Sequence, residues 1–391
     1  TQENFSGITV IKAYVRELKE VYFFRNKSLK LYDQNISFVK YMVIIQIVIS
    51  IAINLIVLLI IVYGSFLVMQ GGIDGLSSGE LTEYLAYFFT LIWPTMAFAQ
   101  FMSIHSQAKA SAKRIQKFFD EPAYVDASDV KQIETLKGRI LVDHLTFTYP
   151  DGTRPVLDDV SFEIEAGEMV GILGRTGSGK SSLVDLFLRI YPVSKDQIFV
   201  DGHDIMSIPM KKLRDAMGYV PQDNFLFSET IKDNIGFSKE TIDMDSVIQS
   251  AKLSDVYDNI IEFKDQFETM LGERGITVSG GQKQRISIAR ALEKDPEILI
   301  LDDSVSAVDT HTEEAIIHNL HQVRKGKTTI FIAHRISTVK KMDKIILLNE
   351  GKVVAVGNHE SLLKTSPLYQ DMVKRQTLEH LVSGGDVHEG L

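Results

Sequence analysis

Two long apolar stretches dominate the first third of this chain. From Tyr41 to Ile73 no residue is charged, and from Tyr84 to Ala108 there is again no Asp, Glu, Lys or Arg. Each exceeds the roughly 20 apolar residues that cross a bilayer core, so the pattern predicts two membrane spans, at about 40–69 and 80–108. Ahead of them, Ile8, Ile11, Val15 and Leu18 recur at helical spacing, with Lys12, Arg16 and Lys19 elsewhere on the wheel. That spacing predicts an amphipathic helix over about 6–18. Beyond residue 138 the pattern changes to short apolar runs separated by turn residues, beginning with Ile140-Leu141-Val142 and Leu145-Thr146-Phe147-Thr148-Tyr149 before Pro150-Asp151-Gly152. Strands then alternate with helices, which predicts an α/β domain with helices on the faces of a sheet. A mainly helical insertion is expected between Pro209 and Ala291.

Charge orients the two spans. The connector from Gly71 to Glu83 holds only Asp74, Glu80 and Glu83, whereas basic residues crowd both outer flanks, Lys30 and Lys40 before, Lys109, Lys113 and Arg114 after. Positive charge stays inside, so both ends are expected in the cytoplasm. Residues 1–120 carry 11 basic and 8 acidic side chains against 31 and 43 in the remainder, dividing the net charge of −9 into +3 and −12. An acidic cytoplasmic domain gives no support for nucleic-acid binding. The absence of cysteine excludes disulfides and thiolate metal sites. Gln46, Asn54, Gln100, Ser103 and His105 put polar groups at or near membrane depth, where they suit a substrate cavity or helix–helix hydrogen bonds equally well. Pro94 is expected to bend the second span.

The chemistry starts at Gly174-Arg175-Thr176-Gly177-Ser178-Gly179-Lys180-Ser181. This loop follows the apolar run Met169 to Leu173 and opens a helix at Ser182, the strand–loop–helix context that a phosphate-binding loop requires. Glycines let backbone N–H groups converge on phosphate oxygens at a helix N-terminus. Lys180 is expected on the β- and γ-phosphates and Ser181 on Mg²⁺. A second strand, Ile298-Leu299-Ile300-Leu301, ends in Asp302, a carboxylate placed to hold Mg²⁺ through water. Ser279-Gly280-Gly281-Gln282 opens another helix, so a serine hydroxyl and glycine amides meet at a second anion-attracting terminus.

A phosphate loop, an SGGQ turn and a strand-end Asp in this order resemble the ATP-binding cassette (ABC) transporter family. The resemblance implies a membrane α-helical segment followed by an α/β P-loop ATPase domain, with MgATP closed between one subunit's loop and another's SGGQ turn. By the same resemblance Tyr149 stacks on adenine, Gln222 lies in the loop that senses Mg²⁺, and His334 contacts the γ-phosphate and the attacking water. The nucleotide-binding set becomes Tyr149, Gly174, Thr176, Gly177, Ser178, Gly179, Lys180, Ser181, Ser182, Gln222, Ser279, Gly280, Gly281, Gln282 and His334. Metal contacts fall to Ser181, Gln222 and Asp302, and catalysis to Asp303, His334 and Gln222. Val278 stands where the family usually has Leu. Ser306-Ala307-Val308-Asp309 resembles the family's D-loop, at the seam between subunits. Residues 6–17 are similar to the second coupling helix of type IV exporters. The spans would then be the last two of six, with four preceding helices absent from this chain.

One departure narrows the reading. The residue after Asp302 is Asp303, where the family normally places the Glu that polarises water. Aspartate is one methylene shorter, and a misplacement of about 1 Å can cost on the order of 10²-fold in rate. A slow or inactive site is therefore expected on this chain. The run Asp302-Asp303-Ser304-Val305-Ser306-Ala307-Val308-Asp309 resembles the glutamate-lacking half of bacterial heterodimeric multidrug exporters. The implied protein is a multi-pass subunit of a bacterial plasma membrane that pairs with a glutamate-bearing half and exports a hydrophobic or amphipathic substrate, drugs above all. Lipid or peptide cargo, a homodimer, and a regulatory non-hydrolysing subunit are the alternatives. The domain plan is 1–120 membrane part, 121–138 linker, 139–376 ATPase domain and 377–391 flexible tail.

Overall fold

The computed structural model of the chain describes residues 2–70, 75–120, 133–272, 275–304 and 308–382. It divides into two compact units, Thr1–Ala123 and Tyr124–Leu391.

The first unit is helical. Two helices, Glu17–Gln70 of 54 residues and Ser78–Asp120 of 43, contain the two predicted spans. Both run well past the spans predicted at 40–69 and 80–108. The physical reason is that a span ends where the solvent changes, while a helix ends only where a breaker stands. The flanking Glu, Lys, Leu and Arg residues are good helix formers and continue the ladder. The second helix also carries on through Pro94. The two helices approach closely at Gly64, the one buried residue among those described on its helix, where a Cβ would lie 2.3 Å from Leu81 Cδ1. Most other large apolar side chains on both helices are exposed, as a lipid-facing surface requires. Asn54 donates to the Ser50 carbonyl at 2.8 Å, so this polar group is satisfied within its own helix. The amphipathic helix expected over 6–18 is divided instead. Gln2–Ser6 and Ile8–Ala13 are separate short helices, and Val15 takes a left-handed φ of 49° before the long helix starts at Glu17. Val15 and Leu18 are exposed.

The second unit has two sheets. β1 (Ile140–Phe147), β2 (Leu157–Ile164), β4 (Ile198–Val200) and β5 (His203–Asp204) form an antiparallel sheet ordered β2-β1-β4-β5. The other sheet is ordered β10-β9-β3-β8-β7-β6, built from β3 (Met169–Gly174), β6 (Met217–Val220), β7 (Ile298–Asp302), β8 (Thr328–Ala333), β9 (Lys344–Asn349) and β10 (Lys352–Gly357). It is parallel from β9 to β6, with β10 antiparallel at its edge. β3, β7 and β8 are buried at every position, as parallel strands covered on both faces must be.

Three apolar clusters result. One lies between the sheets and includes Leu183, Leu186 and Phe187 of the helix Lys180–Phe187. A second covers the opposite face of the parallel sheet, taking in Tyr369 and Met372 of the C-terminal helix Pro367–Val382. The third, from Leu226 to Ala289, is the core of a separate helical lobe. That lobe is shorter than the predicted 209–291 insertion, because β6 belongs to the parallel sheet and the lobe begins after it. The C-terminal helix continues through Val382, past Gln376 where the tail was expected to start. The rest of that predicted tail, and 121–132 of the predicted linker, lie outside the described residues.

Candidate nucleotide site

The loop between β3 and the helix Lys180–Phe187 is shaped by its glycines. Gly179 is the residue before the helix, at φ 98°, and a Cβ there would meet Leu157 Cδ2 at 2.7 Å. At Gly174 a Cβ would lie 2.5 Å from both the Leu348 carbonyl and Ser178 Oγ. No other residue fits either place without moving backbone. Arg175, Thr176 and Gly177 form the exposed lip of the loop.

Lys180 is buried, and its ammonium is turned onto the loop itself. Nζ donates to the carbonyls of Gly174 at 2.8 Å and Arg175 at 2.9 Å, and lies 3.4 Å from Ser178 Oγ. Burial pulls its pKa down to about 8, against the pull of the carboxylates of Asp302 and Asp303. Asp302, 5% exposed at the end of β7, is pushed up to about 6. Its burial is the main cause and the adjoining Asp303 carboxylate the next, while Lys180 and a hydrogen bond from Ser181 act the other way. A buried carboxyl beside a hydroxyl and a second carboxylate is a place where an added cation is stabilising.

His334 follows β8 and is half-buried. Burial and then the Lys180 charge lower its pKa, opposed by Asp303 and by a hydrogen bond to the Gly174 backbone. The imidazole is therefore neutral at neutral pH and held against the phosphate loop. Asp303 has a left-handed φ of 45°, and its N–H donates to the Ile332 carbonyl at 2.9 Å. Gln222 Nε2 donates to Asp303 Oδ2 at 3.4 Å. The structure thus gathers Gly174, Lys180, Ser181, Gln222, Asp302, Asp303 and His334 into one cluster at the ends of the parallel strands, where open α/β sheets bind ligands.

Tyr149 lies at the edge of that cluster. Its ring meets Phe147 and Tyr191 edge to face, with centroids 5.0 and 5.1 Å away, and its hydroxyl is 2.9 Å from Ser182 Oγ. It also hydrogen-bonds Asp185, a residue sequence reasoning did not single out.

The SGGQ turn is built differently. Ser279 is the N-cap of the helix Gly280–Glu293: its hydroxyl accepts from Gln282 N–H at 3.3 Å, and Gln282 Oε1 accepts from Ser279 N–H at 2.9 Å. This reciprocal capping box fixes the turn without any outside partner. Ser279 and Gly280 are exposed, and a Cβ on Gly280 would meet nothing within 4 Å. From the same helix Gln284, 2% exposed, donates to the Asp303 carbonyl at 3.1 Å. That link was not foreseen; its only trace in the sequence is a glutamine on the helix face that also carries Ile288 and Ala291. Residues 306–307 of the predicted seam loop lie outside the described residues, and Asp309 caps the helix Thr310–Val323.

The donors suit magnesium. Ser181, Asp302 and Gln222 offer a hydroxyl, a carboxylate and an amide oxygen, the hard and sparse set that leaves most positions of an Mg²⁺ shell to water and phosphate. Among the described residues no group of three or more His, Cys, Asp or Glu side chains could hold a metal ion by itself.

Comparison with known proteins places both units. A family described as "ABC transporter" matches residues 157–306, and "ABC transporter transmembrane region" matches residues 1–95. The chain is 38% identical over 385 residues to the probable multidrug resistance ABC transporter ATP-binding/permease protein YheI of Bacillus subtilis, covering 98% of this chain and 65% of that one. It is 37% identical over 380 residues to the multidrug resistance-like ATP-binding protein MdlA of Escherichia coli, covering 97% and 64%. A solved structure described as a bacterial Atm1-family ABC exporter with ATP bound superposes with a TM-score of 0.84 at 30% identity, covering 96% of this chain and 66% of that one. The chain spans slightly less than two thirds of the length of these relatives.

Proposed function

This chain belongs to the ABC transporter family, and from that premise we propose that it is part of an ATP-driven exporter subunit in a plasma membrane. Its phosphate loop binds MgATP, and its SGGQ turn closes over the nucleotide of a second subunit. The observation that carries this reading is the contrast on one domain between a gathered loop cluster and an exposed, self-capped turn at Gly280 that faces open space.

In this reading Lys180 exchanges the carbonyls of Gly174 and Arg175 for the β- and γ-phosphate oxygens. Ser181, Asp302 and Gln222 hold Mg²⁺, which neutralises phosphate charge when bound. Neutral His334 donates to the γ-phosphate, and Tyr149 offers its ring to the adenine. Asp303 sits at the position of the water-polarising base but is one methylene short of the usual Glu, so this chain's own site turns over slowly. The SGGQ turn then serves a faster site whose glutamate belongs to a different chain. The relatives' names favour drugs as cargo, of hydrophobic or amphipathic character.

The absence of cysteine makes a direct test clean. Ser279→Cys gives this part of the subunit a single thiol, and a short bismaleimide is added to the assembled exporter with MgATP. A covalent product with a glutamate-bearing ABC subunit carrying Cys in its phosphate loop is expected. A product formed only between copies of this chain, bearing Ser279→Cys and Thr176→Cys, would establish a homodimer. No ATP-dependent product of either kind would refute the shared site.

A further inference from the structure

We propose that Gln376, on the C-terminal helix, is a positioning residue for His334 that orients the switch loop toward the terminal phosphate of a bound nucleoside triphosphate. The proposal rests on the reading of His334 given above and goes beyond it by naming what aims the imidazole.

β8 ends at Ala333, and the short helix Ile336–Val339 begins three residues later. His334 and Arg335 thus lie between regular elements, and their backbone groups need partners from elsewhere. Gln376 supplies them. Its Nε2 donates to the His334 carbonyl at 2.7 Å, and its Oε1 accepts from the Ile336 N–H at 2.7 Å. One planar amide therefore grips the backbone on both sides of Arg335. The two partners require opposite ends of the amide, so its orientation is determined by the bonding.

The same helix reaches the phosphate loop. Asp371 Oδ2 lies 3.7 Å from Arg175 Nη2 and 2.8 Å from Arg375 Nε. The helix is anchored by Tyr369 and Met372, 0% and 8% exposed in the core beneath the sheet. A second hold on the switch loop comes from buried Glu313, which accepts from Thr338 Oγ1 and lies 3.9 Å from Arg335 Nη1. Glu313 holds Thr338 and the Arg335 side chain, whereas Gln376 fixes the backbone of the histidine itself. The C-terminal helix is thus a common support for the two loops that meet the phosphates. A displacement of about 1 Å in such a support is felt in the chemistry it aims.

The test uses the assembled exporter and compares binding of MgAMP-PNP, which has a third phosphate, with that of MgADP, which lacks it. Gln376→Met keeps side-chain length and helix propensity but removes both bonds. It is expected to weaken MgAMP-PNP about five- to tenfold, the scale of one ordinary hydrogen bond, and to leave MgADP within about twofold. Gln376→Glu keeps the acceptor for Ile336 but sets a carboxylate oxygen against the His334 carbonyl, so a loss at least as large as that of Gln376→Met is expected. His334→Ala should lose the same discrimination, and the double variant should be no worse than His334→Ala alone. Unchanged MgADP binding certifies that the variants are folded. Equal weakening of both nucleotides, no weakening of either, or additive losses in the double variant would overturn the proposal. A silent His334→Ala would strike the reading of His334 and this proposal with it; an effective His334→Ala beside a silent Gln376→Met would strike the proposal alone.

Discussion

The phosphate-loop cluster and the SGGQ turn occupy one domain but are finished in different ways. The cluster is built on buried Lys180 and Asp302, and its charges answer one another: Lys180 depressed, Asp302 raised, His334 lowered, with Gln222 and Asp303 bonded together. The turn is exposed and bonded to itself, and the described residues leave open space at Gly280. Opposed and shifted charges distinguish the cluster, while a self-bonded, exposed surface distinguishes the turn.

The strongest way to break this comparison is Gly280→Asp. The fold has room for the side chain, so stability should hold. A carboxylate set against a partner's phosphates should lower turnover of the assembly by on the order of 10²-fold, measured as ATPase activity, with nucleotide affinity of this chain's own loop intact. Unchanged turnover would make the turn mere surface. Lys180→Ala attacks the other side. It should weaken MgATP binding at this chain's loop about tenfold or more by removing a charge from the phosphates, measured by titration with a fluorescent ATP analogue, while the helix it leaves stays folded. Asp303→Glu sharpens the assignment of a slow site. Restoring reach should raise ATPase activity about tenfold, even though the left-handed backbone at φ 45° favours Asp over Glu. No rise would dismiss chain length as the cause.

The smallest expected effect is with pH, and both signs follow from the cluster. Below about 6 Asp302 is protonated, and Mg²⁺ must displace that proton, so Mg-nucleotide affinity should climb as pH rises through that value. Above about 8 Lys180 gives up its proton, and affinity should fall again. Several-fold changes at each edge are expected from calorimetric titration between pH 5 and 9, and Asp302→Asn should erase the acidic edge only.

These regions also differ in how far they could be read from the amino-acid order. The loop, Asp302 and His334 were legible because each follows a short apolar strand, and local pattern fixes what stands at a strand's end. The ends of the membrane helices were not, since hydropathy reports a change of medium and the backbone ladder ignores it. The strand Met217–Val220 was absorbed into a helical lobe because four residues are too few to show a period. Gln284 and Gln376 were invisible for a different reason: a glutamine's importance lies in which backbone groups it meets, and those are 19 and 42 residues away in sequence. The capping box at Ser279 lies between these cases, since Ser and Gln three apart announce the cap but not its exposure.

The helix Glu17–Gln70 has one further implication. About 24 of its residues precede the apolar stretch, a rod of roughly 36 Å at 1.5 Å per residue. Unbroken as it is, it has no joint at which motion could be absorbed at the bilayer surface. A tilt of about 10° in the lipid would swing its cytoplasmic tip by about 6 Å, so a small lean among packed helices arrives at the far end as a stroke larger than an atom.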